Sequence, residues 1–102
     1  MNIPVQDVIQ RLISDFRYKE QHAEEVANRL QLCAPIILKA FKQWWYDGLL
    51  DAELEVQGYT LERLKNDYAF NPVNALLTMD WLLREPEVAL AALADGYDTI
   101  ES

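Results

Sequence analysis

Side chains in the middle of the sequence have the chemistry of nucleic-acid contacts. Lys42 and Gln43 lie three and four residues after Lys39, so both are neighbours of Lys39 on the surface of a helix. Ammonium and amide groups donate hydrogen bonds to phosphate oxygens and to base edges. Arg29 and Lys19 would supply outlying phosphate contacts. We expect any nucleic-acid contact of this chain to be made by these residues, above all by Lys39, Lys42, Gln43 and Arg29.

A second group of side chains has the chemistry of a protein interface. Trp45 and Tyr46 follow the lysines, and aromatic side chains dominate the binding energy of many interfaces. Leu38 occupies an outward position of the same helix, while Glu53 and Glu55 would face a basic partner. The sequence therefore predicts partner contacts at these five residues. The alternative is that the aromatic side chains belong to the core, as Trp44 does by its spacing from Ile37 and Phe41.

The residues needed for catalysis, metal binding or a bound cofactor are missing from the pattern. His22 is the only histidine and lies in a charged stretch, so we expect it to be solvated. Cys33 is the only cysteine, and a lone thiol in an apolar stretch is typically a small buried hydrophobe. The three glycines are far apart and form no phosphate-binding loop. We expect a protein that is not an enzyme and has no metal and no cofactor.

The elements that position these residues are predicted to be helices. Apolar spacing of three and four residues, capping residues and prolines predict about six of them, at residues 3–17, 20–31, 35–47, 61–68, 72–84 and 86–94. The first would be capped by Asn2, and the last would end at Gly96. Residues 52–57 alternate in polarity and predict at most one short β segment. The fold class is therefore mostly α, a compact helical domain.

Charge is distributed unevenly along the chain. Residues 1–50 carry six basic and six acidic side chains, whereas residues 51–102 carry three basic and eleven acidic ones, so the second half holds the whole net charge of −8. Such asymmetry suggests two faces with different partners. The alternative is an acidic surface that only keeps the protein in solution.

Length and composition predict one globular domain over residues 1–102. Hydrophobic residues make up 51% and charged residues 25% of the chain, a balance that excludes a disordered tail. We divide the domain into subregions at residues 5–58 and 59–96, the second acidic and helical, and a flexible tail at 97–102. The N-terminal residues lack the features of a signal peptide, and no apolar run approaches the ~20 residues of a membrane span. We therefore expect a cytoplasmic protein.

Residues 26–41 resemble the helix-turn-helix of bacterial transcription regulators. In that family a small residue packs between the helices, here Ala27, and apolar residues follow at the positions of Leu30, of Leu32 inside the turn, and of Ile37. Residues 44–50 resemble the end of a winged-helix recognition helix, with residues 52–56 as the wing strand. The resemblance covers residues 5–58 and implies a tri-helical N-terminal half and DNA binding.

The chemistry of the segment departs from that family. Cys33 stands where the family has a capping Ser or Thr, and Gln31 stands where it has Gly. The second helix of the motif is apolar around most of its circumference, which predicts burial on two sides, either by the C-terminal helices or by a partner. A strong DNA binder makes six to ten phosphate contacts, and the whole chain has nine Lys and Arg.

Two functional hypotheses follow from these observations. The first is a small regulatory protein of bacterial type with a helix-turn-helix-like scaffold, which binds DNA weakly as a dimer. The alternative is a protein-interaction module or adaptor whose acidic C-terminal half docks a basic partner, in the extreme a DNA-mimicking inhibitor. A protein partner or self-association is expected in both, with neither a membrane nor a small-molecule substrate.

Overall fold

The computed structural model describes residues 3–95, in which six helices and one two-stranded hairpin follow one another. Their bounds are α1 Val5–Phe16, α2 Glu20–Gln31, α3 Pro35–Asp47, β1 Glu55–Val56, β2 Tyr59–Thr60, α4 Leu61–Tyr68, α5 Pro72–Arg84 and α6 Pro86–Ala94. The prediction of a mostly α fold with six helices is confirmed. The predicted cap Asn2, the predicted stop Gly96 and the tail at 97–102 lie outside the described residues.

Local capping signals set most of the helix bounds. The Thr60 hydroxyl accepts a hydrogen bond from the Arg63 amide at 3.1 Å, and the Asn71 side chain accepts one from the Asn74 amide at 2.8 Å. Gly48 ends α3 in the left-handed conformation, with φ 71°. These ends agree with the prediction because each depends on residues that are neighbours in the chain.

Two predicted elements are shorter in the structure. The first helix begins at Val5 rather than at residue 3, because Pro4 has an extended backbone with ψ 135°. The strand predicted over residues 52–57 is reduced to β1, which pairs antiparallel with β2. The chain turns between the two strands at Gln57 and Gly58, whose φ values of 54° and 83° are both positive, as a tight hairpin turn requires.

Helix α5 lies at the centre of the fold. It packs against α3, α4, α6 and β1, and only Leu83 and Arg84 at its end are exposed. Helices α1 and α2 pack against each other. The link between them is tied to the start of α5, since the Tyr18 hydroxyl donates to Asn74 Oδ1 at 3.1 Å and accepts from Asn71 Nδ2 at 3.0 Å. The N-terminal helices are thus held on the C-terminal ones.

Asp80 of α5 is the only fully buried charged side chain among the described residues, with 0% of its surface exposed. Its Oδ1 accepts a hydrogen bond of 2.8 Å from the amide of Ala34, the residue before α3. Its Oδ2 accepts no hydrogen bond within residues 3–95 but forms a salt bridge with Arg84, whose Nη2 lies 2.7 Å away. The Asp80 carboxylate lies at the N-terminus of α3, where the helix dipole favours a negative charge. Asp80 therefore joins the beginning of α3 to the end of α5.

Replacement of Asp80 tests this junction. Asp80→Ala removes the acceptor of the Ala34 amide, and we expect the free energy of unfolding to fall by about 2 kcal/mol in urea titrations. Asp80→Asn keeps an oxygen at that position and should lose less. The matched control is Asp67→Ala, which removes the same charge from the exposed ion pair with Arg63 and should cost under about 0.5 kcal/mol. Equal losses in Asp80→Ala and Asp67→Ala would contradict the role of Asp80.

Candidate partner-binding surface

Helix α3 has a buried inner side and an exposed outer face. The inner side chains repeat at three and four residues and are packed in the core: Ile37, Ala40, Phe41 and Trp44. The opposite stripe is open to solvent, and we name it the α3 outer face: Ile36, Lys39, Gln43 and Tyr46. The inner side packs against α5, which is one of the two coverings that the sequence left open, whereas the predicted burial of a second side is not seen within the domain. The outer face is covered by no described element.

The predicted nucleic-acid contacts are partly brought together. Lys39 and Gln43 share the α3 outer face, while Lys42 is half-buried at its margin. Arg29 is exposed on α2, three residues before the turn that leads to α3. None of the three cations forms an ion pair within residues 3–95. Lys39 and Lys42 thus give α3 two cations without an ion pair, and the exposed carboxylate of Asp47 lies at the C-terminal end of the same helix.

The predicted partner contacts on α3 divide into open and packed side chains. Tyr46 is 68% exposed, whereas Leu38 and Trp45 are half-buried and pack against the core. Trp45 is also held by Arg11 of α1, which donates to the Trp45 carbonyl oxygen at 3.1 Å. The Arg11 guanidinium lies 4.5 Å from the Trp44 ring centroid and 4.7 Å from that of Trp45. Trp45 thus contributes to the packing of α1 on α3.

Glu53 and Glu55 are both exposed, on the loop and hairpin that follow α3. The Glu53 amide donates to Asp51 Oδ1 at 3.0 Å, which holds the loop locally. An open groove of about 240 Å³ lies between this loop and α4. Its lining is mixed and brings no catalytic set together: Gly48, Leu49, Leu50, Asp51, Ala52, Glu62, Lys65 and Asn66.

The turn before α3 corrects the prediction for Leu32. The sequence placed Leu32 inside the turn, but it is 75% exposed, and Cys33 is the buried residue there. The Cys33 thiol donates to the Arg29 carbonyl oxygen at 3.5 Å. Because Asp80 approaches the turn from α5, the residue beside Ala34 faces the core and Leu32 is left outside. The expected burial of Cys33 is confirmed.

Four exposed apolar side chains lie at or near the ends of α2, α3, α5 and α6, and we name them the junction patch: Leu32, Ile36, Leu83 and Val88. The Ala34 amide donates a hydrogen bond to Asp80. Leu32 and Ile36 are each two residues from Ala34, and Leu83 is three residues from Asp80. At about 3.8 Å per residue these backbones lie close together. Sequence reasoning missed the patch because its two halves are about 50 residues apart in the chain.

His22 is half-buried rather than solvated. Its ring packs edge-on against Tyr18 with centroids 4.8 Å apart, because α2 returns along the end of α1.

Within residues 3–95, no group of three or more His, Cys, Asp or Glu side chains is placed to hold a metal ion. In the same range, no helix has the length and apolar character of a membrane span. Comparison with protein-family models, with curated proteins and with solved structures found no match for this chain.

The buried thiol yields a prediction about pH. Burial, followed by the negative charge of Asp80, raises the pKa of Cys33 from 9.0 to about 12. Between these two pH values the thiol of the unfolded chain loses its proton, whereas the thiol of the folded chain keeps it. The free energy of unfolding therefore falls as the pH rises from 9 to 12, and below pH 9 this thiol makes no contribution to the pH dependence. The difference in unfolding free energy between the unsubstituted chain and Cys33→Ala should shrink over that range in urea titrations.

A thiol reagent provides an independent measurement. At pH 8 we expect Cys33 in the folded protein to react at least about 100-fold more slowly than in denaturant, since both burial and the raised pKa suppress the thiolate. Similar rates in both conditions would show that the thiol is accessible and that the turn opens readily.

Proposed function

We propose that this chain is a small non-enzymatic binding module that docks a protein partner on the α3 outer face. The observation that carries the proposal is the make-up of that face. Ile36 is 51% exposed and Tyr46 is 68% exposed, with Lys39 and Gln43 between them. Apolar and aromatic anchors among polar side chains are typical of protein interfaces.

The same face is poorly suited to nucleic acid as its main ligand. Lys39 is its one fully exposed cation, with Lys42 at the margin and Arg29 on the neighbouring helix. Three cations fall short of the six to ten phosphate contacts of a strong binder, and the net charge of −8 repels a polyanion over longer distances. Contacts of Ile36 and Tyr46 with phosphate groups would contribute little to the binding energy. The helix-turn-helix resemblance thus supports a scaffold more than a DNA-reading function.

The chemistry of the partner follows from the charge. Lys39, Lys42 and Arg29 have no acidic partner within residues 3–95, so an apolar surface with carboxylates at its rim would complement the face. Glu53 and Glu55 remain available for the other arrangement, in which the acidic half docks a basic partner. In either arrangement we propose a regulatory role of bacterial type in the cytoplasm, with binding as the activity.

Site-specific crosslinking tests the proposal. A photoreactive phenylalanine derivative at position 46 should form discrete protein adducts in cells that produce the chain, and the same group at position 66 of α4 should not. The dissociation constant of the purified adduct partner is then measured. We expect Ile36→Asp to weaken binding at least about tenfold, a change of about 1.4 kcal/mol, because it places a charge in the apolar contact. Leu49→Asp is the matched control, because Leu49 is also exposed and lies beyond the end of α3.

Two results would overturn the proposal. One is the absence of any adduct at position 46, including an adduct between two copies of the chain. The other is DNA binding at low micromolar protein that falls steeply between 50 and 200 mM salt, measured by the anisotropy of a labelled duplex, and that Lys39→Ala weakens.

A further inference from the structure

We infer that a second copy of this chain is a partner and docks symmetrically through the junction patch, which shares Ile36 with the α3 outer face. This inference rests on the proposed function and deepens it. The junction patch combines an apolar centre with charges of both signs, contributed by different helices. The 2.8 Å hydrogen bond between Ala34 and Asp80 brings the start of α3 next to the last turns of α5, which joins the two halves of the patch.

The positive groups belong to α2 and α3. Arg29 lies one turn before Leu32, and Lys39 lies one turn after Ile36, so each exposed apolar side chain has an exposed cation beside it. Both cations are free of ion pairs within the described part of the chain. This half of the patch is therefore an apolar surface with a basic rim.

The negative groups belong to the link between α5 and α6. Glu85 connects the two helices and Glu87 lies in the first turn of α6, and both are exposed without an ion pair in residues 3–95. They lie between Leu83 and Val88 in the chain. Arg84 is drawn toward the buried carboxylate of Asp80 at 2.7 Å. This half of the patch is an apolar surface with an acidic rim, the complement of the first.

A two-fold axis brings the two halves together twice. In a symmetric dimer the same surface is used by both copies, so it must be complementary to itself. In the dimer that we propose, Lys39 of one copy pairs with Glu87 of the other, and the two-fold axis repeats this pair on the opposite side. The apolar side chains then meet at the centre. The same pairing of the two copies would thus cover the apolar side chains and neutralise the charged ones.

The patch consists of only four apolar side chains with four charged ones, which predicts a weak dimer. Interfaces at the small end of the known range bind weakly, and we expect a dissociation constant on the order of 10 µM. Two copies that each carry −8 repel at long range. At 150 mM salt this repulsion is screened beyond about 8 Å, while charge pairs in contact persist. Sedimentation equilibrium at that ionic strength, from 5 to 500 µM protein, is the appropriate measurement.

A charge exchange tests the pairing directly. Lys39→Glu places two carboxylates opposite each other, and Glu87→Lys places two amines, so each variant alone should dimerise at least tenfold more weakly. A one-to-one mixture of the two variants restores both attractive pairs and should regain the unsubstituted dissociation constant within about threefold. Matched controls are Lys65→Glu and Glu62→Lys on α4, which make the same charge changes at exposed positions. Glu62 lies in the first turn of its helix, as Glu87 does.

The inference is overturned if the unsubstituted chain stays monomeric at 500 µM, if the mixture does not recover, or if the controls weaken dimerisation as strongly. Its failure differs from a failure of the proposed function. A monomeric chain that still forms adducts with another protein at position 46 retains the proposed function and loses only the self-association. A chain with no adduct of either kind loses both.

Discussion

The carboxylate of Asp80 fixes the relation between the two halves of this fold. Helix α3 begins after Ala34, which has no side chain able to cap a helix, and its first residue, Pro35, has no amide hydrogen. The acceptor and the negative charge that favour a helix N-terminus come instead from α5, over a separation of 46 residues in the chain. The start of α3 therefore depends on the C-terminal half. The N-terminal tri-helical segment is built into the domain and does not stand apart from it.

The central position of α5 decides which surfaces remain for binding. Because α5 covers the inner side of α3, the apolar side chains Ile37, Phe41 and Trp44 are used in the core. Arg11 holds Trp45 at the margin of that packing. Ile36 and Tyr46 are left exposed on the opposite side. The candidate surface is thus the part of an apolar helix that the fold does not use, which is a common origin of interaction sites.

Charge supports the same assignment of surfaces. Asp80 is the one acidic side chain that the described part of the core contains, and Arg84 lies beside it. The other acidic side chains described are at least partly exposed, and two of them, Glu85 and Glu87, adjoin the apolar junction. The cations Arg29 and Lys39 adjoin it from the other helices. A chain with a strongly negative total thus has one region where both signs meet around apolar side chains, and recognition needs such local complementarity more than net charge.

The sequence alone determined the helices, the caps Thr60 and Asn71 and the inner side of α3. Thr60, Asn71 and Gly48 act on residues within one turn, and the spacing of Ile37, Phe41 and Trp44 is a property of one helix, so each could be predicted locally. The candidate site was predicted in part: Lys39, Gln43 and Tyr46 are open, while Leu38 and Trp45 are packed. Only the tertiary structure decided the exposure of Leu32, the hydrogen bond between Asp80 and the start of α3 and the junction patch. Each of these depends on residues about 50 positions apart, and their contact follows from how α3 and α5 pack, which no local pattern encodes.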